Sequence, residues 1–260
     1  MERLGTLETI CRYPVKSMAG EDIVETFVGY GGVMGDRVYG FIRAGGMRGI
    51  PWHTGREQEN LVIFRPRFRR SEATTVPADA DFSLALGPGL NPVLPTAEAF
   101  EVEVAMPDGR VLPVQAAELA AELERLGGAA VTLRFSERSL SDCRPISLFG
   151  NATVRGLAAE LGRPIDRRRF RANFYADWAD DRPFREDQLV GCTVQIGDKL
   201  RLAILERDAR CKMITIDPDT GETSPEIHRH VMAAHEGTAG VYAAVLREGV
   251  VRKGDPIALV

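Results

Sequence analysis

Residues 191–211 read GCTVQIGDKLRLAILERDARC. Val, Ile, Leu and Thr recur through the stretch, which predicts strand. It ends on a lone cysteine, Cys211, and the turn-forming run Asp217-Pro218-Asp219-Thr220-Gly221 follows. A cysteine where a strand ends stands at the mouth of a barrel, a usual place for functional groups. The same texture extends outward. "GTLETICRYP" (5–14), "DIVETFVGYG" (22–31), "GDRVYGFIRA" (35–44), "LVIFRPRF" (61–68) and "DFSLALGPGLNPVL" (81–94) all read as short strands. "FEVEVAMPDGRVLPV" (100–114) alternates around Pro-Asp-Gly and predicts a hairpin. Further strands are expected in "RRFRANFYAD" (168–177), "CKMITID" (211–217) and the closing "VVRKGDPIALV" (250–260), which turns at Gly-Asp.

Helical spacing appears in three places only. "QAAELAAELERLGG" (115–128) stops at Gly127-Gly128; "NATVRGLAAELGRP" (151–164) has Asn151 as N-cap and Gly162 as stop; "SPEIHRHVMAAHEG" (224–237) is shorter. The fold class is therefore α+β, mostly β. An N-terminal β-barrel-like domain, residues 1–110, packs on a C-terminal β-barrel, residues 111–260, with a few outer helices. The boundary falls near residues 95–115, and "LGPGLNPVLP" (86–95) is the most loop-like stretch beside it.

The chain has 260 residues, a net charge of -4, 44% hydrophobic and 27% charged residues, the profile of an ordinary globular protein. The acidic balance argues against nucleic acid as a partner. The four cysteines, Cys11, Cys143, Cys192 and Cys211, form no CxxC pair and are too sparse for a disulfide framework, so a reducing compartment is expected. No signal peptide and no bilayer-spanning run is visible, and the expected localisation is cytoplasmic, with no membrane partner.

Taken alone, Cys211 reads as the buried apolar thiol that free cysteines usually are. Arg207 and Arg210 beside it open another reading, a thiolate favoured by nearby cations. A zinc site joining Cys211 to His228, His230 and His235 is disfavoured, because spacings of two and five put the histidines on different faces of an exposed helix. "YPVKSMAG" (13–20) offers an ammonium, Lys16, a hydroxyl, Ser17, and free amides before a glycine turn, a set suited to an anion. "GDRVYG" (35–40) sets Arg37 beside a tight turn, where its fork can hold a phosphate. "DRRRFRAN" (166–173) adds Arg171 and Asn173 at alternating strand positions on one face. Each stretch alone is surface electrostatics. Together they suit a small anionic ligand with polar heterocyclic edges.

"RCKMITIDPDTG" (210–221) resembles the cysteine motif of the MOSC family, the molybdenum cofactor sulfurase C-terminal domain. "YPVKSMAG", "GDRVYG" and "HTGREQENLV" (53–62) resemble the N-terminal β-barrel domain that accompanies it, and "FRAN" and "VRKGDPIALV" match in order. The resemblance spans nearly the whole chain and is nearest to the mitochondrial amidoxime-reducing component and its bacterial relatives. It implies that Cys211 binds molybdenum, the metal's other sulfurs coming from the pterin dithiolene. It implies further that Lys16, Ser17 and Arg37 hold the molybdenum cofactor (Mo-molybdopterin) through its phosphate. Arg171, Asn173, Arg210 and Tyr242 match cofactor-contacting positions, and Asp142 an acidic residue near the metal that could relay a proton. Met18 and Gly150 depart from the pattern; the second removes a hydroxyl that relatives carry.

The resemblance thus implies a molybdenum-dependent oxidoreductase, independent of pyridoxal phosphate, that reduces a small N-hydroxylated or N-oxygenated substrate. Electrons would come from a separate protein of reductase, ferredoxin or cytochrome type. Two other readings stand beside it: a sulfur carrier using a Cys211 persulfide, and a protein that binds and delivers the cofactor.

Overall fold

A computed structural model of the chain describes residues 2–47, 50–77, 80 and 98–260. The strand expected at 81–94 and the loop at 86–95 lie outside the described residues. The N-terminal strands are β1 (Glu2–Arg12), β2 (Glu21–Ile23), β3 (Glu25–Gly29), β4 (Gly32–Val33), β5 (Tyr39–Met47), β6 (Ile50–Trp52) and β7 (Arg65–Phe68). The hairpin around Pro-Asp-Gly is β8 (Val102–Ala105) and β9 (Val111–Pro113), followed by helix α1 (Ala117–Gly127) and β10 (Val131–Phe135). Then come β11 (Ile146–Gly150), α2 (Asn151–Leu161), β12 (Phe174–Trp178), β13 (Thr193–Ile196), β14 (Leu200–Ala209), α3 (Pro225–Ala234), β15 (Thr238–Arg247), β16 (Gly249–Arg252) and β17 (Pro256–Leu259).

The fold is mostly β, as its sequence predicts, and its centre is a closed seven-stranded barrel in the order β12-β11-β15-β14-β13-β17-β1, with β1 pairing back onto β12. All these pairs are antiparallel except β11 with β12. A parallel neighbour needs a crossover longer than a hairpin, and α2 supplies it. Alternate residues fill the barrel: Leu7, Ile10, Leu148, Phe174, Ile196, Leu202, Ile204 and Val241 are all buried to within about one percent. A second core lies under the N-terminal sheets and α1, built from Phe27, Phe41, Phe64, Phe100, Leu119 and Leu123. Strands cross between the two regions. β1, the first strand of the chain, completes the barrel, while β16, near the end, pairs with β3.

Several local expectations change. "VVRKGDPIALV" is two strands rather than one, because the turn at Lys253-Gly254 sends β16 to β3 and β17 to β1. "RRFRANFYAD" is strand only from Phe174; residues Arg167–Phe170 form a 3-10 turn capped by Asp166, whose carboxylate accepts the Arg168 amide. Arg171 and Asn173 therefore do not alternate on a strand. "CKMITID" is also a 3-10 turn, Lys212–Thr215, closed where the Thr215 hydroxyl donates 2.8 Å to the Lys212 carbonyl. Asn151 is the first residue inside α2, not its cap; Gly150 takes that place, and the Asn151 amide donates to Asp177. Gly128 and Gly162 end α1 and α2 in left-handed conformation, as the sequence predicts.

Candidate functional site

The stretches "YPVKS" and "GDRVYG" are laced together by their backbones. The Arg37 amide donates to the Tyr13 carbonyl (2.6 Å), the Lys16 amide to the Tyr39 carbonyl (2.8 Å), and the Tyr13 amide to Asp36 Oδ1 (2.9 Å). The lacing presents Lys16, Ser17 and Arg37 at one cavity. β11, the segment 169–173, β14 and β15 bring Ser147, Arg171, Asn173, Arg210, Cys211 and Tyr242 to its other walls, and Asp142 stands at its edge. All nine residues singled out in the sequence line this one cavity.

Three of them carry backbone strain. Ser17, Arg37 and Arg171 have φ of 68°, 49° and 53°, the left-handed region that side chains with a Cβ disfavour. Such residues cluster where a fold holds groups for a ligand. Ser17→Gly tests this directly. Relief of about 1–2 kcal/mol of left-handed strain outweighs the roughly 0.5–1 kcal/mol that glycine's freedom costs. The expected result is a higher thermal midpoint, and a lower one contradicts the strain assignment.

The guanidinium carbons of Arg37 and Arg171 lie 4.6 and 4.3 Å from the centroid of the Tyr13 ring. Arg37 Nη1 lies 2.5 Å from the fully buried Asp36, and its Nη2 donates to the Arg171 carbonyl (3.0 Å). Asp36 also accepts from the Ser139 hydroxyl (3.1 Å). Arg171 differs from its neighbours. It has no ion pair among the described residues, and its buried Nη2 has no hydrogen-bond partner. Burial pulls its pKa down to about 10, and Arg37 adds to the effect. A cation drawn partly out of water without a counter-charge carries a cost that an anionic ligand would offset.

The other members are engaged with the protein. Lys16 is buried; its ammonium donates to the Leu140 carbonyl (2.6 Å) and meets Asp142 Oδ1 at 2.7 Å, and burial lowers its pKa. Asn173 is spent on the backbone, accepting from the Ser147 amide (3.3 Å) and donating to the Cys11 carbonyl (3.4 Å). Arg210 donates to the carbonyls of Ala239 (2.7 Å) and Phe170 (2.8 Å) and lies 2.8 Å from Asp208. Arg207 pairs with Glu236. Both arginines beside Cys211 are thus directed to other groups. Cys211 follows β14, half-buried, as the cap of the 3-10 turn. Register shifts between β14 and β15 at 204–206 and 207–209 bend the strand just before it.

Sequence reading missed six contributors, Ser147 among them. Asp208, three residues before Cys211, is buried; burial raises its pKa, against the pull of Arg210 and hydrogen bonds from Ser147 (2.9 Å) and Tyr242. Tyr13 and Asp36 form the platform under the arginines. Arg56 reaches Asp142 at 3.7 Å from the turn after His53, and Cys143 also lines the cavity. Asp208 stands two residues before Arg210 in "RDARC", a spacing that offers a paired charge; Tyr13 carried no signal beyond its motif. Gly55 lets the Arg56 turn approach, since a Cβ there would lie 2.7 Å from Met213 Sδ. Gly150 is outside the cavity, and a side chain there would strike Glu186 and Trp178 at 2.5 and 2.6 Å. From β11 it is Ser147 that lines the cavity. The Asp217 turn holds as expected: Asp217 Oδ1 accepts the Asp219 and Thr220 amides, and Gly221 has φ of 76°.

Residues 136–258 match the MOSC domain family. The chain contains a MOSC domain. It is also similar to mitochondrial amidoxime reducing component 2 from Rattus norvegicus, 24% identical over 298 residues, covering 99% of this chain and 84% of that protein. Among solved structures, the YuaD protein of Bacillus subtilis aligns over 97% of this chain and 93% of its own at 14% identity and a TM-score of 0.47. YiiM from Geobacillus stearothermophilus aligns over 45% of this chain and 54% of its own, with 20% identity and a TM-score of 0.36. The MOSC domain supplies Asp142, Arg171, Arg210, Cys211 and Tyr242 to the cavity, while Lys16, Ser17 and Arg37 reach it from before residue 136. Among the described residues no helix is long and apolar enough to cross a membrane.

Proposed function

We propose that the cavity holds the molybdenum cofactor and that the protein is an oxidoreductase acting on N-hydroxylated or N-oxygenated compounds. The observation that carries this reading is Arg171, a half-buried side chain whose buried Nη2 has no partner, beside Arg37 and Lys16. Three cations set on strained or buried backbone suit a phosphate-bearing ligand. The donor set fits, and the likeness to an amidoxime reducing component supports the reaction class.

In this reading Cys211 is the protein's ligand to the molybdenum, and Arg171 and Arg37 bind the cofactor's anionic end. When bound, the cofactor supplies the redox chemistry for reducing an N–O group. An arriving anion competes with Asp142 for Lys16. Asp142, once released, can hold a proton at Oδ1. Asp208 neutralises Arg210 and, with Ser147 and Tyr242, fixes one wall of the cavity. Electrons come from a separate donor protein of reductase, ferredoxin or cytochrome type.

Arg171→Gln tests the reading. Loss of a charge-assisted contact of about 1.5–3 kcal/mol should lower cofactor retention roughly 10- to 100-fold. Pterin fluorescence and molybdenum analysis, on protein made in a cofactor-competent host, measure it. The cofactor-free variant should unfold at an unchanged or higher midpoint, because the unpartnered charge is gone. Undiminished pterin and metal in Arg171→Gln would sink the assignment. Arg37→Glu is a poorer test, since it sets a second carboxylate against buried Asp36.

A further inference from the structure

We propose that Glu160, His230 and His235 form a binding site for a zinc-class divalent cation, on the outer helices and apart from the Cys211 cavity. Glu160 lies in the last turn of α2, His230 on α3, and His235 directly after α3. Their ligand atoms all lie within 4.8 Å of one another. Glu160 Oε2 is 2.6 Å from His230 Nε2 and 2.7 Å from His235 Nε2. The structure thus corrects the expectation that the histidines face apart: His235 has left the helix, and the turn after Ala234 brings it back toward His230. His228 alone points elsewhere, its Nε2 lying 3.1 Å from the Arg210 carbonyl.

Two imidazole nitrogens and a carboxylate oxygen are the donors that zinc and its neighbours prefer, and three protein ligands leave one position for water. Metal–ligand distances of about 2.0–2.2 Å place such donors about 3–3.5 Å apart. Each contact would therefore open by less than about 1 Å, within reach of side-chain rotation. A bound cation would meet each imidazole at a bare Nε2, the ring's proton being carried on Nδ1. The frame is fixed independently of the cluster. The His235 ring stacks on Phe184, centroids 4.1 Å apart and planes at 22°. Thr238 donates to the His235 carbonyl (3.0 Å), and Arg163 pairs with Glu226 (2.6 Å), tying the end of α2 to the start of α3. Side-chain exposures of 26% and 18% for His230 and His235, and 37% for Glu160, leave a path for entry.

Cobalt(II) titration of the full chain against a competing chelator tests the site. The expected result is one equivalent bound with visible ligand-field bands and no thiolate-to-cobalt charge transfer. Glu160→Gln keeps an acceptor for both imidazoles, so the helices stay docked. It should weaken binding by about 100-fold or more, as should His230→Ala. Zinc should raise the thermal midpoint of the native chain and not that of Glu160→Gln. Binding of one equivalent that is unchanged in Glu160→Gln, absence of saturable binding, or a thiolate charge-transfer band as the only signal would each overturn the proposal.

Discussion

Cys211→Ser is expected to lower turnover of an N-oxygenated substrate by more than about 100-fold, beyond what removal of a supporting group around a metal costs. Oxygen is a harder ligand than thiolate, so metal retention and redox tuning both suffer. Some pterin should remain, because Lys16, Arg37 and Arg171 sit on other walls of the cavity. The other cysteines give the contrast. A metal ligand must be a thiolate, and the thiol of Cys11 is held protonated by burial and by Asp22, whose Oδ1 accepts from it at 2.9 Å. Cys143, though it lines the same cavity, is pushed the same way by burial, Asp142 and Asp208. Serine at Cys11 or Cys192 should cost packing only, and at Cys143 far less activity than at Cys211. Wild-type reductase activity in Cys211→Ser is incompatible with the molybdenum reading. A native protein carrying persulfide and no molybdenum would favour sulfur transfer.

Arg12→Leu should destabilise the fold by about 3–5 kcal/mol, the usual result of removing one partner of a buried ion pair. Arg12 is fully buried at the end of β1. Its Nε and Nη2 lie 2.9 and 2.7 Å from Glu21 Oε1, and its Nη1 donates to the carbonyl and hydroxyl of Thr74 at 2.6 and 3.0 Å. Its guanidinium carbon lies 4.6 Å from the Phe68 centroid. Leucine strands the Glu21 carboxylate and the Thr74 carbonyl together. Denaturant unfolding measures the loss. A change under about 1 kcal/mol, the range of exposed pairs, would show that Arg12 is no clamp.

Many of the strands, the hairpin at Pro-Asp-Gly and the three helices are legible in the sequence because each rests on local chemistry: alternation, turn residues, helical spacing and glycine stops. Cys211 and the cationic stretches stood out for the same reason, through residue type beside a turn. Local pattern also misled where side chains decide. "CKMITID" has β-favouring composition, but the Thr215 hydroxyl closes a 3-10 turn that composition does not encode. His230 and His235 face apart on an ideal helix and meet only because the chain turns after Ala234.

What the sequence alone determined was the three helices, the hairpin, many of the strands, the mostly β class and a set of anion-binding residue types scattered from Lys16 to Asn173. Tertiary structure decided which of them stand together and which are free. Barrel closure by β1, and the return of β16 to β3, are pairings between strands more than 150 residues apart, which no local window contains. Partnership is likewise a matter of distance in space. Arg12, Arg37 and Arg171 look alike as residues, yet the first two meet buried or half-buried carboxylates and the third meets none among the described residues. The physical reason is that burial strips water from Arg12 wholly and from Arg37 and Arg171 in part, and only the packed fold fixes which of them finds a counter-charge within the protein.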